Sequence, residues 1–437
     1  MGIARDVLHK KLIPLASLDK PTRQFQLPES QNRNNLSRTE KKLIDLIRAY
    51  GDCSIGELVT ITDYSRTKIT TSIDTLLEKN IITADNLTEY SGGRRSKKYS
   101  LNGDYCLVAG VDIGATSIDL SMADFSGKLR QRYSEAVPVK DGPIVVLGRV
   151  CSLLEKMIQE SGASTDTLYG IGIGVPGPVD FSAGRLVSPP IMPGWDRFPI
   201  TQTVQQWFPT ASVVVDNDVN LMALGEVYQG AGKGVDNLIF VKIGTGIGAG
   251  IICEGKIYRG SSGCAGDIGH ISVDKNGPMC HCGNKGCLEA MAGGPAIVQR
   301  SLNAAQTGKS SILLDYYEKN SKVLRTEDIG NASREGDGLA IEVIRESGQF
   351  IGDVLASLVN FYNPGMIVIG GGVSNLGNLL LSSIRQTILR RSLPLATRDL
   401  LVVFSQIGPE AGVIGAINLA MDNLLMLPAN GDVPGDR

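Results

Sequence analysis

The chain has 437 residues, 42% of them hydrophobic and 20% charged. That composition excludes a largely disordered, collagen-like or coiled-coil protein, and the length predicts about two to four domains. The formal net charge is −2, which gives no global attraction to nucleic acid or membrane, so any DNA contact must come from a local patch. No run approaches the ~18 consecutive apolar residues of a membrane helix. The first twenty residues, MGIARDVLHKKLIPLASLDK, offer no continuous signal-peptide core, and MGIARD lacks the Ser/Thr of a myristoylation motif, so a cytoplasmic protein with no membrane partner is expected.

Residues 1–36 end in a polar stretch without periodicity and read as a tail or linker. Ser37 and Glu40 then form a capping-box pair ahead of Leu43, Ile44 and Ile47 at helical spacing. Ser54 and Glu57 open a second, short helix with Leu58 and Val59. After a turn at Thr62–Asp63, Ser65 caps a third helix. Its apolar face is Ile69, Ile73, Leu76 and Leu77, and its other face holds Arg66, Lys68, Thr70 and Thr71. Ile81–Ile82 reads as a short strand, and SGGRRSKKYSLN as a hairpin tip followed by a strand. Together these predict a winged helix-turn-helix over 37–102. Its third helix would enter the major groove, and Arg94, Arg95, Lys97 and Lys98 would lie on phosphates. The alternative is a small protein-interaction domain with a solvated basic loop.

From Cys106 the chain turns to short buried strands broken by glycine, an α/β pattern. An apolar strand meets a Gly/Thr loop twice, in VDIGATSIDL and in VKIGTGIGAGII. Asp112, Gly114 and Thr116 in the first, with Gly244, Thr245 and Gly246 in the second, suit the two sides of a phosphate clamp. Two structural hairpins are the other reading. Asp216-Asn-Asp-Val-Asn220 follows the buried strand SVVVDNDVN, where a carboxylate can take a hydroxyl proton during phosphoryl transfer. An Asx-turn or helix N-cap would place the same residues there. A helical stretch from Pro295 to about Asn360, a late strand and loop GMIVIGGGVS, and a closing helix over Gly412–Leu425 complete the chain before a frayed tail.

Of eight cysteines, Cys53, Cys106, Cys151 and Cys253 are scattered, whereas Cys264, Cys280, Cys282 and Cys287 cluster. His270, Cys280, Cys282 and Cys287 give three thiolates and an imidazole, a closed donor set suited to a structural Zn2+. His281 is a competing ligand, and Cys264 is expected to be a small core residue. With all four positions filled, the zinc would fix the loop rather than activate water.

GDIGHISVDKNGPMCHCGNKGCLEAMAG resembles the signature segment of the ROK family, which unites sugar-responsive repressors and bacterial sugar kinases. The likeness spans about residues 106–425, and the added head resembles the repressor branch. It implies an α/β fold of the duplicated, actin-like (ribonuclease H-like) sugar kinase type behind an N-terminal winged helix-turn-helix. A small lobe over 103–228, joined by a C-terminal helix at 409–428, and a large lobe over 229–408 with the zinc loop 270–287 would follow. Carried over by position, Asp218 matches the family's catalytic aspartate and Asn217 a sugar-hydroxyl contact. Asp267 and His270 match the Glu-x-x-His motif, Glu289 the glutamate of Cys-Leu-Glu, and Gly177 a loop near the sugar. Gly371 and Gly372, within Gly370–Ser374, resemble the adenosine-side loop for ATP/Mg2+. Ala115 stands where kinases carry a second glycine, and Asp267 is one methylene shorter than the family glutamate. The resemblance therefore implies a sugar-responsive regulator, a repressor of carbohydrate genes, without significant turnover. It would bind operator DNA and a monosaccharide effector as a homodimer or homotetramer. An ATP-dependent sugar kinase carrying a DNA-binding head is the alternative reading, and a zinc-stabilised interaction module a third.

Overall fold

The computed structural model describes residues 36–85 and 97–426. The predicted tail before Leu36, the hairpin-tip residues Arg94 and Arg95, and the closing tail lie outside the described residues. The described residues form two compact units, one within Met1–Ile173, Phe198–Val215 and Ala416–Arg437, the other of Gly174–Arg197 and Asp216–Gly415.

The first unit opens with helix α1 (Arg38–Tyr50), strand β1 (Cys53–Ser54), α2 (Ile55–Ile61), α3 (Arg66–Glu78), β2 (Ile82–Asp85) and β3 (Lys98–Leu101). Both expected capping boxes form, Ser37 with Glu40 and Ser54 with Glu57, and Ser65 caps α3 through the Lys68 N–H. Leu43, Ile44, Leu58, Ile69, Ile73 and Leu76 are fully buried between the three helices. Each such side chain is worth about 1.5–3 kcal/mol of burial, so Ile69→Ala or Leu58→Ala would loosen the whole head. The three strands pair in the order β1-β3-β2, and β2 with β3 forms an antiparallel hairpin. The expected strand at Ile81 begins one residue later.

The rest of this unit is a five-stranded sheet. Its strands are β4 (Leu107–Ile113), β5 (Ile118–Asp124), β6 (Leu129–Glu135), β7 (Leu168–Val175) and β10 (Ser212–Asn217), in the order β10-β7-β4-β5-β6. Helices α4 (Pro143–Glu160) and α5 (Ile200–Gln205) belong to it, and β6 alternates between half-buried and exposed residues, as an edge strand does. The short hairpin β8 (Val179–Asp180) and β9 (Arg185–Leu186) belongs to the second unit.

The second unit continues with α6 (Asp218–Gln229), β11 (Leu238–Ile243), β12 (Ile247–Cys253) and β13 (Lys256–Ile257). Then come α7 (Leu288–Ala292), α8 (Gly294–Ala304), α9 (Ser311–Lys319), α10 (Thr326–Arg334), α11 (Gly338–Tyr362), β14 (Met366–Gly370), α12 (Asn378–Arg391), α13 (Pro394–Thr397) and β15 (Leu401–Phe404). Its sheet order is β13-β12-β11-β14-β15. In each sheet the first strand is central, the second and third follow on one side as antiparallel hairpins, and the fourth and fifth add on the other. The two Gly/Thr loops noted in the sequence occupy the same place in both copies, between the first and second strands. This is the duplicated α/β architecture. Strand β15 was not expected; four residues bordering a helical stretch carry no periodic signal of their own. The last helix, α14 (Ala411–Met426), starts in the second unit and ends in the first.

Candidate functional site

The buried run Val213-Val-Val215 carries the chain to a cluster of carboxamides and carboxylates at the start of α6. Asn217 is the N-cap, its side chain accepting from the Val219 and Asn220 N–H groups, while its own Nδ2 donates to the Gly177 carbonyl at 3.0 Å. The capping reading of this motif is thus correct for Asn217, whereas the flanking acids Asp216 and Asp218 pair with basic side chains. Gly177 holds φ at +122°, in the region that favours glycine.

Asp216 is buried and fully engaged. Its Oδ2 accepts from Arg259 Nε at 2.9 Å and pairs with an Arg259 terminal nitrogen at 2.7 Å. Its Oδ1 accepts from the Asn217 N–H at 2.7 Å and from Asn220 Nδ2 at 3.0 Å. The Arg259 guanidinium also lies over the Phe181 ring, 3.8 Å from its centroid. Asp218 takes Lys242 Nζ on Oδ2 at 2.6 Å and the Val219 N–H on Oδ1 at 2.9 Å. Sequence reasoning missed Lys242 and Arg259. A lysine inside the apolar strand LIFVKI was the available signal for the first, since it needs a buried partner or an opening; Arg259 sits in a loop and gave none.

The β11–β12 hairpin is the platform on which the remaining residues meet. Glu289, in the first turn of α7, accepts from the Ile247 N–H at 3.1 Å. The turn carrying Asp267 and His270 lies against β12, so close that a Cβ on Gly269 would stand 2.2 Å from the Ile247 carbonyl oxygen. Lys242 on β11, Glu289 on the Ile247 N–H and the turn carrying Asp267 thereby share one hairpin. All six predicted sugar contacts, Gly177, Asn217, Asp218, Asp267, His270 and Glu289, fall in the second unit.

His270 has two faces. Its Nδ1 is 3.6 Å from Cys280 Sγ and its Nε2 is 3.9 Å from Asp267 Oδ1. Cys282 and Cys287 Sγ are also 3.6 Å apart, and the four donor atoms all lie within 4.8 Å of one another. A tetrahedron with metal–sulfur bonds of about 2.3 Å has edges of roughly 3.8 Å, so these residues fit a single ion. The Asn284 backbone lowers the Cys282 thiol to about 7, whereas burial raises Cys287 to about 12. His281 is exposed and outside this donor group. Cys264, expected in the core, is exposed instead, in a loop rich in glycine and serine that buries little.

The sequence profile of the ROK family matches residues 108–423. The chain belongs to the ROK family. A glucokinase of Halalkalibacterium halodurans is 34% identical over 307 residues, 70% of this chain and 92% of that protein. A xylose repressor of Caldicellulosiruptor bescii is 29% identical over 368 residues, 84% of this chain and 91% of the repressor. The crystal structure of a ROK family transcriptional regulator, a homolog of the E. coli MLC protein, superposes with a TM-score of 0.76. It is 27% identical and covers 89% of this chain and 96% of its own. The repressor match is longer than the whole chain from residue 108 onward, so it reaches into the N-terminal helices.

Within this ROK chain the predicted nucleotide loops divide between the units. Asp112, Gly114 and Thr116 belong to the first, while Gly244, Thr245, Gly246, Gly371 and Gly372 belong to the second. Thr116 and Thr245 are exposed, and Asp112 stands opposite Asp119 in the β4–β5 ladder. Ala115 is absent from the residues with positive φ, so its Cβ strains nothing in the backbone. In the head, Arg66, Lys68 and Thr71 are exposed and Thr70 is half-buried. Lys68 Nζ lies 4.3 Å from the centroid of the Tyr64 ring. Lys97 is exposed and Lys98 begins β3. No helix among the described residues is long and apolar enough to cross a membrane.

Proposed function

We propose that this ROK protein is a sugar-responsive transcriptional regulator, acting as a repressor on a two-fold operator. The observation that carries this reading is the capped helix-turn-helix head in front of a ROK module, matched along nearly the whole chain by xylose repressors and a ROK regulator. In it, residues 37–102 bind DNA. Arg66, Lys68, Thr70 and Thr71 face the major groove, and Arg94, Arg95, Lys97 and Lys98 bind phosphates. The effector is a monosaccharide held by Asn217, Asp218, Asp267, His270 and Glu289 beside Gly177. A Zn2+ held by His270, Cys280, Cys282 and Cys287 fixes the turn from which Asp267 and Glu289 project. Sugar binding acts on DNA only through a difference in affinity between two conformations.

A second reading, a sugar kinase carrying a DNA-binding head, is supported by the glucokinase relative and by the retained Asp218 and Gly/Thr loops. There Asp218 would take the proton of the attacking hydroxyl. The deciding experiment presents the zinc-loaded chain with a monosaccharide panel, with and without Mg-ATP. A sugar that raises the melting temperature and changes DNA affinity at least tenfold, without ADP release, supports the regulator. ADP release abolished by Asp218→Asn would install the kinase in its place.

A further inference from the structure

Helix α14 is buried on nearly every side. Ala411, Val413, Ala416, Ala420 and Met421 are wholly inaccessible. Both of its halves are held by backbone-to-backbone approach, where glycine has removed the side chain that would keep two elements apart. In the second unit it meets α6, the helix that begins with Asp218. A Cβ on Gly225 would stand 2.2 Å from the Ala411 carbonyl oxygen, and one on Gly415 only 1.7 Å from that of Leu221. In the first unit it meets β7, where a Cβ on Gly172 would stand 2.0 Å from the Ala416 carbonyl oxygen. Contacts this close leave no slack for one partner to move without the other.

The far end of the same helix touches the head. Asp422 forms an ion pair with Arg48 in the last turn of α1, and the Arg48 side chain is only 7% exposed. Beside it lies a small cavity of about 170 Å³ bordered by Ile47, Arg48, Asp52, Leu101 and Ser126. The head has a second tie in the Gly103–Tyr105 turn, whose Gly103 carbonyl accepts from the Phe125 N–H. Tyr105 packs 5.0 Å from Phe125, centroid to centroid. One tie is a packed hinge; the other is a charge pair next to space that permits movement.

We infer that α14 is the rod through which the sugar site acts on the DNA-binding head, and that the Arg48–Asp422 pair is its joint. This rests on the regulator reading above and adds the route of regulation. A displacement of α6 when a hydroxyl-rich ligand engages Asp218 is handed to α14 at Gly225 and Gly415. It emerges at Asp422 as a shift or release of Arg48, which reorients α1 and the helices packed on it.

The test uses the full-length chain with D-xylose and D-glucose as probes, following sugar binding by calorimetry and the head by backbone amide exchange in α1–α3. Arg48→Gln and Asp422→Asn are expected to bind sugar within about twofold of wild type. Their sugar-induced change in exchange at α1–α3 should fall at least fivefold, and the swap Arg48→Asp with Asp422→Arg should restore part of it. Should the neutral variants unfold, Arg48→Lys, which keeps the charge without the planar fork, is expected to give an intermediate response. Singles that respond as wild type does overturn the joint and leave the sugar site standing. Wild type that binds sugar with no change in the head overturns the route as a whole. Wild type that binds neither probe overturns the regulator reading and this inference with it.

Discussion

Lys242 Nζ lies 2.6 Å from Asp218 Oδ2 and ties the end of β11 to the first residue of α6. The Asp218 side chain is 4% exposed and that of Lys242 is 28% exposed, so the carboxylate is shut away while its cation still meets solvent. With the Val219 N–H on its second oxygen, Asp218 is set in one orientation before any ligand arrives. Lys242→Met should therefore strand a buried carboxylate. We expect a loss of about 1–3 kcal/mol, below that of a fully buried pair because Lys242 is partly hydrated. Urea unfolding of Lys242→Met, Asp218→Asn and the double variant checks it. The two losses should overlap by about 1 kcal/mol or more, and strictly additive losses would mean that the pair contributes nothing.

Arg259 has a harder task than Lys242. It places two nitrogens on one oxygen of the buried Asp216 and sits over the Phe181 ring. Lysine can supply the charge but neither the fork nor the stacking plane. Arg259→Lys is expected to lose most of what Arg259→Ala loses, about 2–4 kcal/mol in each case. Thermal unfolding of both variants compares them directly. A lysine variant as stable as wild type would show that charge alone is what Asp216 requires.

The legibility of this chain follows the range of its interactions. Caps such as Ser54 with Glu57 span four residues, and the His/Cys group from His270 to Cys287 that could hold a metal spans eighteen, so residue type and spacing were enough to pick out both clusters. The two Gly/Thr hairpins were visible for the same reason, as each strand lies next to its partner in sequence. Lys242 and Arg259 join the candidate site only through partners 24 and 43 residues away. A lysine inside the apolar strand LIFVKI was the one local hint, and nothing local distinguishes Arg259 from any loop arginine. Cys264 failed for the converse reason: its type favours a core, but its glycine-rich loop provides none.

The head should carry a small acid sensitivity through Glu57. The Ser54 N–H, then its hydroxyl, hold the Glu57 carboxyl below its ordinary range. A carboxyl lowered in the folded state contributes stability that is present above its unfolded value, near ~4.3. That contribution is lost as pH falls through the lowered folded value. Glu57 is exposed, so only a few tenths of a kcal/mol are expected. The stability gap between wild type and Glu57→Gln should accordingly close between about pH 6 and pH 3. A gap independent of pH in that window would assign the effect to shape rather than ionisation.

The metal loop offers two glycines with opposite consequences. Gly286 has φ +62°, and a Cβ there would stand 1.6 Å from the Asp274 carbonyl oxygen. Gly283 has φ +89° with nothing within 4 Å of its Cβ position. Gly286→Ala must push two backbone segments apart directly before Cys287, whereas Gly283→Ala meets only the local cost of a left-handed residue, about 1–2 kcal/mol. Wild type should hold one zinc per chain by elemental analysis, and Gly283→Ala should retain it. Gly286→Ala should lose zinc affinity by tenfold or more. Because Cys287 leads directly into α7 with Glu289, stripping the wild-type metal with a chelator should lower sugar affinity in parallel. Sugar affinity that survives complete zinc removal would separate the metal loop from the site beside it.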